Sequence, residues 1–367
     1  MDKPSISLCM IVRNEEEYLP KCLSSVMRIV DEIIIVDTGS TDNTVSIAEA
    51  FGAKVIHMPW EDSFSVARNR CFEEATGDWI LWLDADEEMD VNEAGRLKEL
   101  LARDAIREQS IEGILFYFCH YTDGSEMEQS CLPRMVRNRP EYRFEGRIHE
   151  RILPSMLKAR PDMNIGQADI HVYHYGNLAQ NVVRQDKIRR NISLIRQSIQ
   201  EHPEDGTYHY YLGIERCRVN ELEEALEHFH IAVAKPAGFS KQLLSCAHRS
   251  RLFTLETMGR YHDLVQYSTE SIALFPDYTD LYHLRADGWH ALGETDKAIS
   301  SMRQALRIGP APEEYLSIPG IGTYLTCREL GISYASVGNL KESDMYLTLS
   351  SLMGGDTGIV FREAVGS

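Results

Sequence analysis

Asp84 and Asp86 stand one residue apart, directly after the apolar run Trp79-Ile80-Leu81-Trp82-Leu83. A buried strand over that run delivers both carboxylates to its carboxyl end. Alternate residues of extended chain point the same way, so the two can share one ion or divide a ribose and a metal between them. Hard oxygen ligands suit Mg²⁺ or Mn²⁺, and such an ion neutralises a diphosphate leaving group. Asp37 closes a second apolar run, EIIIVD, with Gly39 just behind it to let the loop approach a ligand closely. A carboxylate there suits the base or ribose of a nucleotide; the plainer reading is a strand end or a helix-cap partner, which Asp42 already supplies. Arg68 lies beside Phe64, Val66 and Ala67 on a half-buried stretch. It is either a surface arginine or the guanidinium that a diphosphate site needs.

These residues need elements to carry them. Ile6 to Val12 reads as a first buried strand, Glu16 to Val30 as a helix and Glu32 to Asp37 as a second strand. Ser40-Thr41-Asp42-Asn43 reads as a cap leading into a helix over Thr44 to Phe51. Lys54 to His57 is a third strand, Phe64 to Ala75 a helix, and Trp79 to Leu83 a fourth strand. Such alternation implies right-handed crossovers and a parallel sheet with helices on both faces, and ligands bind such sheets outside the carboxyl ends of the strands. Those ends carry Arg13-Asn14, Asp37 to Ser40, and Asp84 to Asp86. No G-x-G-x-x-G follows the first strand, which excludes a dinucleotide-binding dehydrogenase. No early glycine-rich basic loop is present either, which ranks a nucleotidyltransferase low.

From Gln180 onward the pattern is helical and repetitive. Leu212-Gly213, Ala225, Phe229 and Ala232 keep tetratricopeptide spacing from about Gly206. Ala298, Met302, Ala305 and Pro310 fit a copy from about Thr279, and Leu330-Gly331 with Tyr334 a copy from Tyr324. A degenerate copy lies at Ser245 to Pro276. The expected division is a catalytic domain at 1–178, a basic linking helix at 179–204 and helical repeats at 205–367.

The chain carries 56 acidic and 38 basic residues, net charge −18, a field that repels nucleic acid. Eight cysteines are scattered without a Cys-x-x-Cys pair, so neither a zinc knuckle nor a disulfide scaffold is expected. No apolar stretch is long enough for a membrane span or a signal sequence, and a cytoplasmic location is expected.

Four blocks, ISLCMIVRNEEEYLPKCLSSV, EIIIVDTGSTDNT, SVARNRCFEEATGDWILWLDADEE and RFEGRIHE, resemble in order and spacing the large inverting glycosyltransferase family 2. The chain looks most like bacterial members that fuse this domain to tetratricopeptide repeats, some of which glycosylate peptides or proteins (S-glycosyltransferases of bacteriocins among them) while others build surface polysaccharides. The resemblance implies a GT-A fold followed by an all-α repeat domain, a nucleotide-diphosphate sugar donor, in the first place a UDP-sugar, and Mg²⁺ or Mn²⁺. By matching positions it implies that Asp86 is the main metal ligand and that Asp84 binds the ribose or the metal. It likewise implies that Asp37 binds the nucleoside, and that Arg13, Asn14 and Glu16 line the base and ribose pocket. Many relatives carry two acidic residues after the second strand, whereas this chain has Asp37-Thr38.

An inverting transfer needs a base for the acceptor. Family members supply an acidic residue well after the Asp-x-Asp pair, which here implies Glu150 with His149 beside it. The alternative is a Glu150 ion-paired with Arg147 or Arg151. A thiol acceptor depends less on a strong base. His174, in the stretch HVYHYG, is either a third metal ligand or a packed histidine. Trp60, Glu61 and Asp62 lie where they would border the donor pocket. Asp123 to Arg134 reads as a loop able to close as a lid. Repeats present concave surfaces that take a peptide or protein acceptor, or a second copy of the chain in a homodimer. A glycan acceptor stays open. The competing reading is a non-catalytic repeat scaffold with an inactive transferase domain.

Overall fold

The structure, a computed structural model, describes residues 4–103, 106, 108–120, 128–175 and 181–354. The chain divides into two compact units, Met1–Leu194 and Ile195–Ser367.

The first unit begins with β1 (Ile6–Val12), α1 (Leu19–Val26), β2 (Glu32–Asp37), α2 (Thr44–Ala50), β3 (Lys54–His57), α3 (Phe64–Glu73) and β4 (Trp79–Trp82). There follow β5 (Glu87–Met89), the short helices α4 (Val91–Ala94) and α5 (Leu97–Leu101), β6 (Ile111–His120), β7 (Glu128–Arg137), α6 (Leu153–Ala159) and β8 (Asn164–His174). Residues of β1 are buried on both sides, and their alternation sorts them into two cores. Ile6, Leu8, Met10 and Val12 face Leu19, Leu23 and Val26 of α1. Cys9 faces the other way with Ile34 and Val36, against Ala67, Cys71 and Phe72 of α3. A strand sandwiched between helix layers in this way reads as a continuous apolar run, as β1 and β2 do.

Among the described residues the strands form one sheet in the order β3-β2-β1-β4-β7-β6-β8-β5. The four early strands are parallel, as expected. The later strands add antiparallel pairing that the alternation did not address: β7 runs antiparallel to β4 and to β6, and β5 antiparallel to β8. A hairpin needs no crossover helix, so β6 and β7 can follow each other directly, without the alternation that marked the first four strands. The lid reading of Asp123 to Arg134 is corrected in the same place. Glu128–Arg137 is sheet, and residues 123–127 lie outside the described residues. The helix expected from Glu16 starts only at Leu19, where Pro20 sits in its first turn, a position that suits proline.

A long helix, α7 (Asn181–Glu201), spans the division between the units. The second unit then contains helix pairs: α8 (Gly206–Arg218) with α9 (Leu222–Ala234), α10 (Lys241–Thr257) with α11 (Tyr261–Leu274), α12 (Thr279–Ala291) with α13 (Thr295–Ile308), and α14 (Tyr324–Ser336) with α15 (Leu340–Gly354). The degenerate copy is therefore a helix pair like its neighbours. Close approach within a pair needs the small residue the spacing pointed to: a Cβ on Gly213 would lie 2.6 Å from the Phe229 ring. An α/β domain followed by an all-α repeat domain is the observed class.

Candidate active site

The carboxyl ends of β1, β2 and β4 bring their loops together because the three strands are neighbours in the sheet. After β4, Asp84 and Asp86 are half-buried while Ala85 and Glu87 are buried, the alternation expected of extended chain. The turn is locked by two reciprocal bonds. The Asp84 amide donates to Glu87 Oε2 at 3.0 Å, and the Glu87 amide donates to the Asp84 carbonyl at 3.0 Å. Pairing of β5 with β8 sets Glu87 opposite His174. The Tyr175 amide donates to the Asp86 carbonyl at 2.9 Å, and His174 Nε2 lies 3.7 Å from Asp86 Oδ2. His171 and Tyr173 face the other way, onto Glu93 and Asp90.

Arg68, only 8% exposed, sits between two acids. Its Nη2 donates to Asp84 Oδ1 at 2.8 Å and its Nε to Glu150 Oε1 at 2.6 Å. The guanidinium expected at a diphosphate is thus occupied in holding Asp84 and Glu150 together. Glu150 is ion-paired, though with Arg68 across 82 positions of sequence rather than with its arginine neighbours. His149 is exposed and lies in the left-handed region at φ 53°. Arg134, on β7, grips Glu87 with two nitrogens at 2.6 and 3.2 Å. Burial alone would raise the Asp84 carboxyl, but Arg68 and then Arg134 outweigh it and hold it at about 2. Glu87 moves the other way: burial pushes its carboxyl above the ordinary range despite Arg134. Burial disfavours a charged His174; Asp86, with Glu87 and Asp84 behind it, more than compensates and raises its pKa.

The remaining expected residues lie at the carboxyl ends of β1 and β2. Asn14 takes a left-handed conformation at φ 56°, which asparagine tolerates. Its amide donates to Ser40 Oγ at 2.9 Å and its Oδ1 accepts from the Thr41 amide at 2.8 Å. Glu16 Oε2 accepts from the Asn43 amide at 3.0 Å and from its side chain at 2.8 Å. Asn14 and Glu16 therefore stitch the loop after β1 to the loop after β2. Asp37 is buried; its oxygens accept from the Ser40 amide at 3.1 Å and the Gly39 amide at 3.3 Å, with His57 Nδ1 at 3.5 Å. Arg13 is exposed.

Three residues of this cluster escape the sequence reading. Buried Glu87 and half-buried Arg134 form its second ion pair, and Arg134 lies in the stretch expected to be a loop. Glu15, between two residues that were singled out, faces the acids: burial first, and Asp86 next, push its carboxyl up to about 7, against the pull of Lys187.

Among the described residues no three His, Cys, Asp or Glu side chains converge as a ready-made cage for a metal. A carboxylate and an imidazole 3.7 Å apart, open beside a second carboxylate, nevertheless fit the way Mg²⁺ or Mn²⁺ is bound next to phosphates. Few protein ligands are used there, and substrate oxygens complete the shell.

Known proteins resemble this chain in sequence and in fold. Residues 7–107 match the family profile described as "Glycosyl transferase family 2". A TPR repeat-containing protein of Synechococcus elongatus is 33% identical over 83% of this chain and 76% of its own length. The SPbeta prophage-derived glycosyltransferase SunS of Bacillus subtilis is 30% identical over 66% of this chain, which spans only 56% of that relative. The crystal structure of TarS from S. aureus aligns with 73% of this chain and 54% of its own at 16% identity and a TM-score of 0.42.

Proposed function

The chain belongs to glycosyltransferase family 2 through its first compact unit, with a tetratricopeptide-repeat region behind it, and on that premise we propose an inverting, metal-dependent hexosyl transfer from a nucleotide-diphosphate sugar, in the first place a UDP-sugar, to a peptide or protein acceptor. The observation that carries this reading is the turn after β4, where Asp84 and Asp86 face one way and Asp86 meets His174. Residues 1–178 carry the transfer in this reading, 179–204 link, and the repeats at 205–367 hold the acceptor. No helix among the described residues is long and apolar enough to cross a membrane.

Asp86 and His174 would hold the ion, with Asp84 turned to the ribose or the ion. The ion supplies positive charge for the departing diphosphate. Arg68 keeps Asp84 anionic at neutral pH, as its carboxyl at about 2 requires, and fixes the direction of both Asp84 and Glu150. The loop stitched by Asn14 and Glu16, with Asp37 and Arg13, forms the nucleoside wall. Glu150 takes the proton of the acceptor, and His149 borders the acceptor's approach. Arg68 aims the Glu150 carboxylate through the 2.6 Å bond from its Nε, and a thiol acceptor would depend less on that base than a sugar hydroxyl.

The test is a screen of UDP-, GDP- and dTDP-sugars for hydrolysis and transfer, with and without Mn²⁺, on the wild type and Asp86→Ala. Release of one nucleotide that depends on Mn²⁺ and disappears in Asp86→Ala is the expected result. Equal turnover by Asp86→Ala, or no turnover of any donor, would overturn the reading.

A further inference from the structure

The site holds more acid than it can use. Glu15, Asp37, Asp84, Asp86, Glu87 and Glu150 surround it, and its buried arginine and its half-buried one are both occupied. Arg68 is taken by Asp84 and Glu150, and Arg134 by Glu87. A nucleotide diphosphate adds at least two further negative charges, and one divalent ion offsets only part of that total. Among the described residues the sheet offers no other buried cation at this edge, so the balance must come from outside it.

Helix α7 brings one. Its first half is rich in base (Arg184, Lys187, Arg189 and Arg190 against a single acid, Asp186), and its Ile188 and Leu194 are buried, 6% and 1% exposed. The Arg190 guanidinium lies 5.0 Å above the ring of Phe64, the first residue of α3. Lys187 is three positions earlier, on the same face of the helix, and close enough to Glu15 to act on its carboxyl. This turn of α7 therefore lies against the start of α3, four residues before Arg68, with Lys187 on the side of Glu15. Lys187 is half-buried and makes no ion pair among the described residues. Arg189, by contrast, points to solvent and pairs with Asp186 at 3.8 Å.

We infer that Lys187 is a donor-binding residue whose ammonium pairs with the diphosphate of the nucleotide sugar, with Arg190 on the same face seated against α3 to hold the helix in place. The assignment rests on the nucleotide-sugar reading above. A lysine suits this task because phosphate oxygens can be met by a point charge on a flexible stem, without the planar geometry an arginine demands.

Calorimetric titration of the full chain with UDP, GDP and dTDP in Mn²⁺, and with the matching nucleosides, tests it. The variants are Lys187→Met, Lys187→Arg and, as a solvent-facing control, Arg189→Met, each checked by thermal unfolding. Losing one charge-assisted contact should weaken the diphosphate about tenfold in Lys187→Met, with the nucleoside unaffected. Lys187→Arg should recover most of that loss, and Arg189→Met should stay within about twofold of wild type. A Lys187→Met protein that binds the diphosphate as tightly as wild type overturns the assignment and leaves the transferase reading standing. A wild type that binds none of the three diphosphates overturns the transferase reading itself, and this assignment with it.

Discussion

Arg68 in the first unit and Arg251 in the second are equally hidden from water, 8% and 4% exposed, and are handled in opposite ways. Arg68 has a carboxylate on either side and is held firmly in its charged form. Among the described residues Arg251 has none in contact. Its Nε has no hydrogen-bond partner, its Nη2 reaches Ser271 Oγ only at 3.4 Å, and its guanidinium lies 4.4 Å over the Tyr267 ring. Burial lowers its pKa, with Glu270 and Tyr267 opposing from a distance. One repeat later Arg285 keeps the ring, Tyr282, and finds partners in Ser301 and Gln304 at 2.9 and 2.8 Å. The catalytic unit thus spends burial on ion pairs that aim carboxylates, whereas the repeat unit buries the stem of an arginine mainly as packing. A buried pair adds little net stability but is costly to break, so the contrast can be measured.

The largest effect is expected from Arg68→Met. It strands Asp84 and Glu150, and breaking a buried pair from one side costs about 3–5 kcal/mol. For a unit of this size that lowers the unfolding transition by roughly 10 °C in calorimetry of the full chain. Transfer activity should vanish even where the protein stays folded, because Asp84 and Glu150 lose their common anchor. Unchanged thermal stability would mean that water reaches Asp84 and Glu150 freely once Arg68 is gone.

Acid separates the units next. In the repeats, burial lowers His209, helped by His228, and His248, helped by Arg251, to about 4, and burial alone lowers His283 to about 4. These histidines are depressed below their unfolded value, so the stability they represent is present above about pH 6.5 and is lost as pH falls towards 4. Glu15 runs the other way. Its carboxyl is raised to about 7, so its contribution is present at low pH and disappears as pH rises through 7. Metal-free protein unfolded at a series of pH values should show the repeat transition weakening on acidification, while Glu15→Gln flattens the alkaline loss of the first unit alone. Transitions that move in parallel would contradict the division.

How much of this the sequence carried follows from range. The strands β1 to β4, the turn holding Asp84 and Asp86, and the helix pairs around Gly213 and Phe229 are local patterns, visible in the spacing of apolar and small residues. Arg68 was visible as a residue but not as a partner of Glu150, because 82 positions separate them and no periodicity links them. Arg134 was hidden for the same reason, since its strand alternates weakly and its target, Glu87, lies 47 positions away. The Asp37 carboxylate was read for its charge, while its bonds to Gly39 and Ser40 follow from a turn only three residues long.

Within the repeats, the packing that stands in for ion pairs can be stressed directly. A methyl added at Gly213 meets the buried Phe229 ring at 2.6 Å, and neither can yield, so Gly213→Ala should cost about 1–3 kcal/mol by overpacking. At Gly331 the same methyl meets Leu347 at 2.6 Å, but Leu347 is 38% exposed and can swing outward. Gly331→Ala should cost less than half as much, measured as the difference in unfolding midpoint. Equal losses would show that the last repeat is as tightly packed as the first.

The smallest effect is expected where intuition about buried charge expects the largest. Arg251→Leu removes a cation that has no carboxylate to strand, fills the same space with apolar atoms and leaves Ser271 Oγ to His248, whose Nδ1 already sits 2.9 Å away. The unfolding transition should stay within about 1 kcal/mol of wild type, because replacing an unpaired buried charge by a packed side chain is neutral or favourable. Arg251 also helps depress His248, so the substitution should move the His248 titration upward, a shift that NMR can follow even if stability is unchanged. A loss as large as that of Arg68→Met would mean that Arg251 is held by charge after all, and the two arginines would then be one case rather than two.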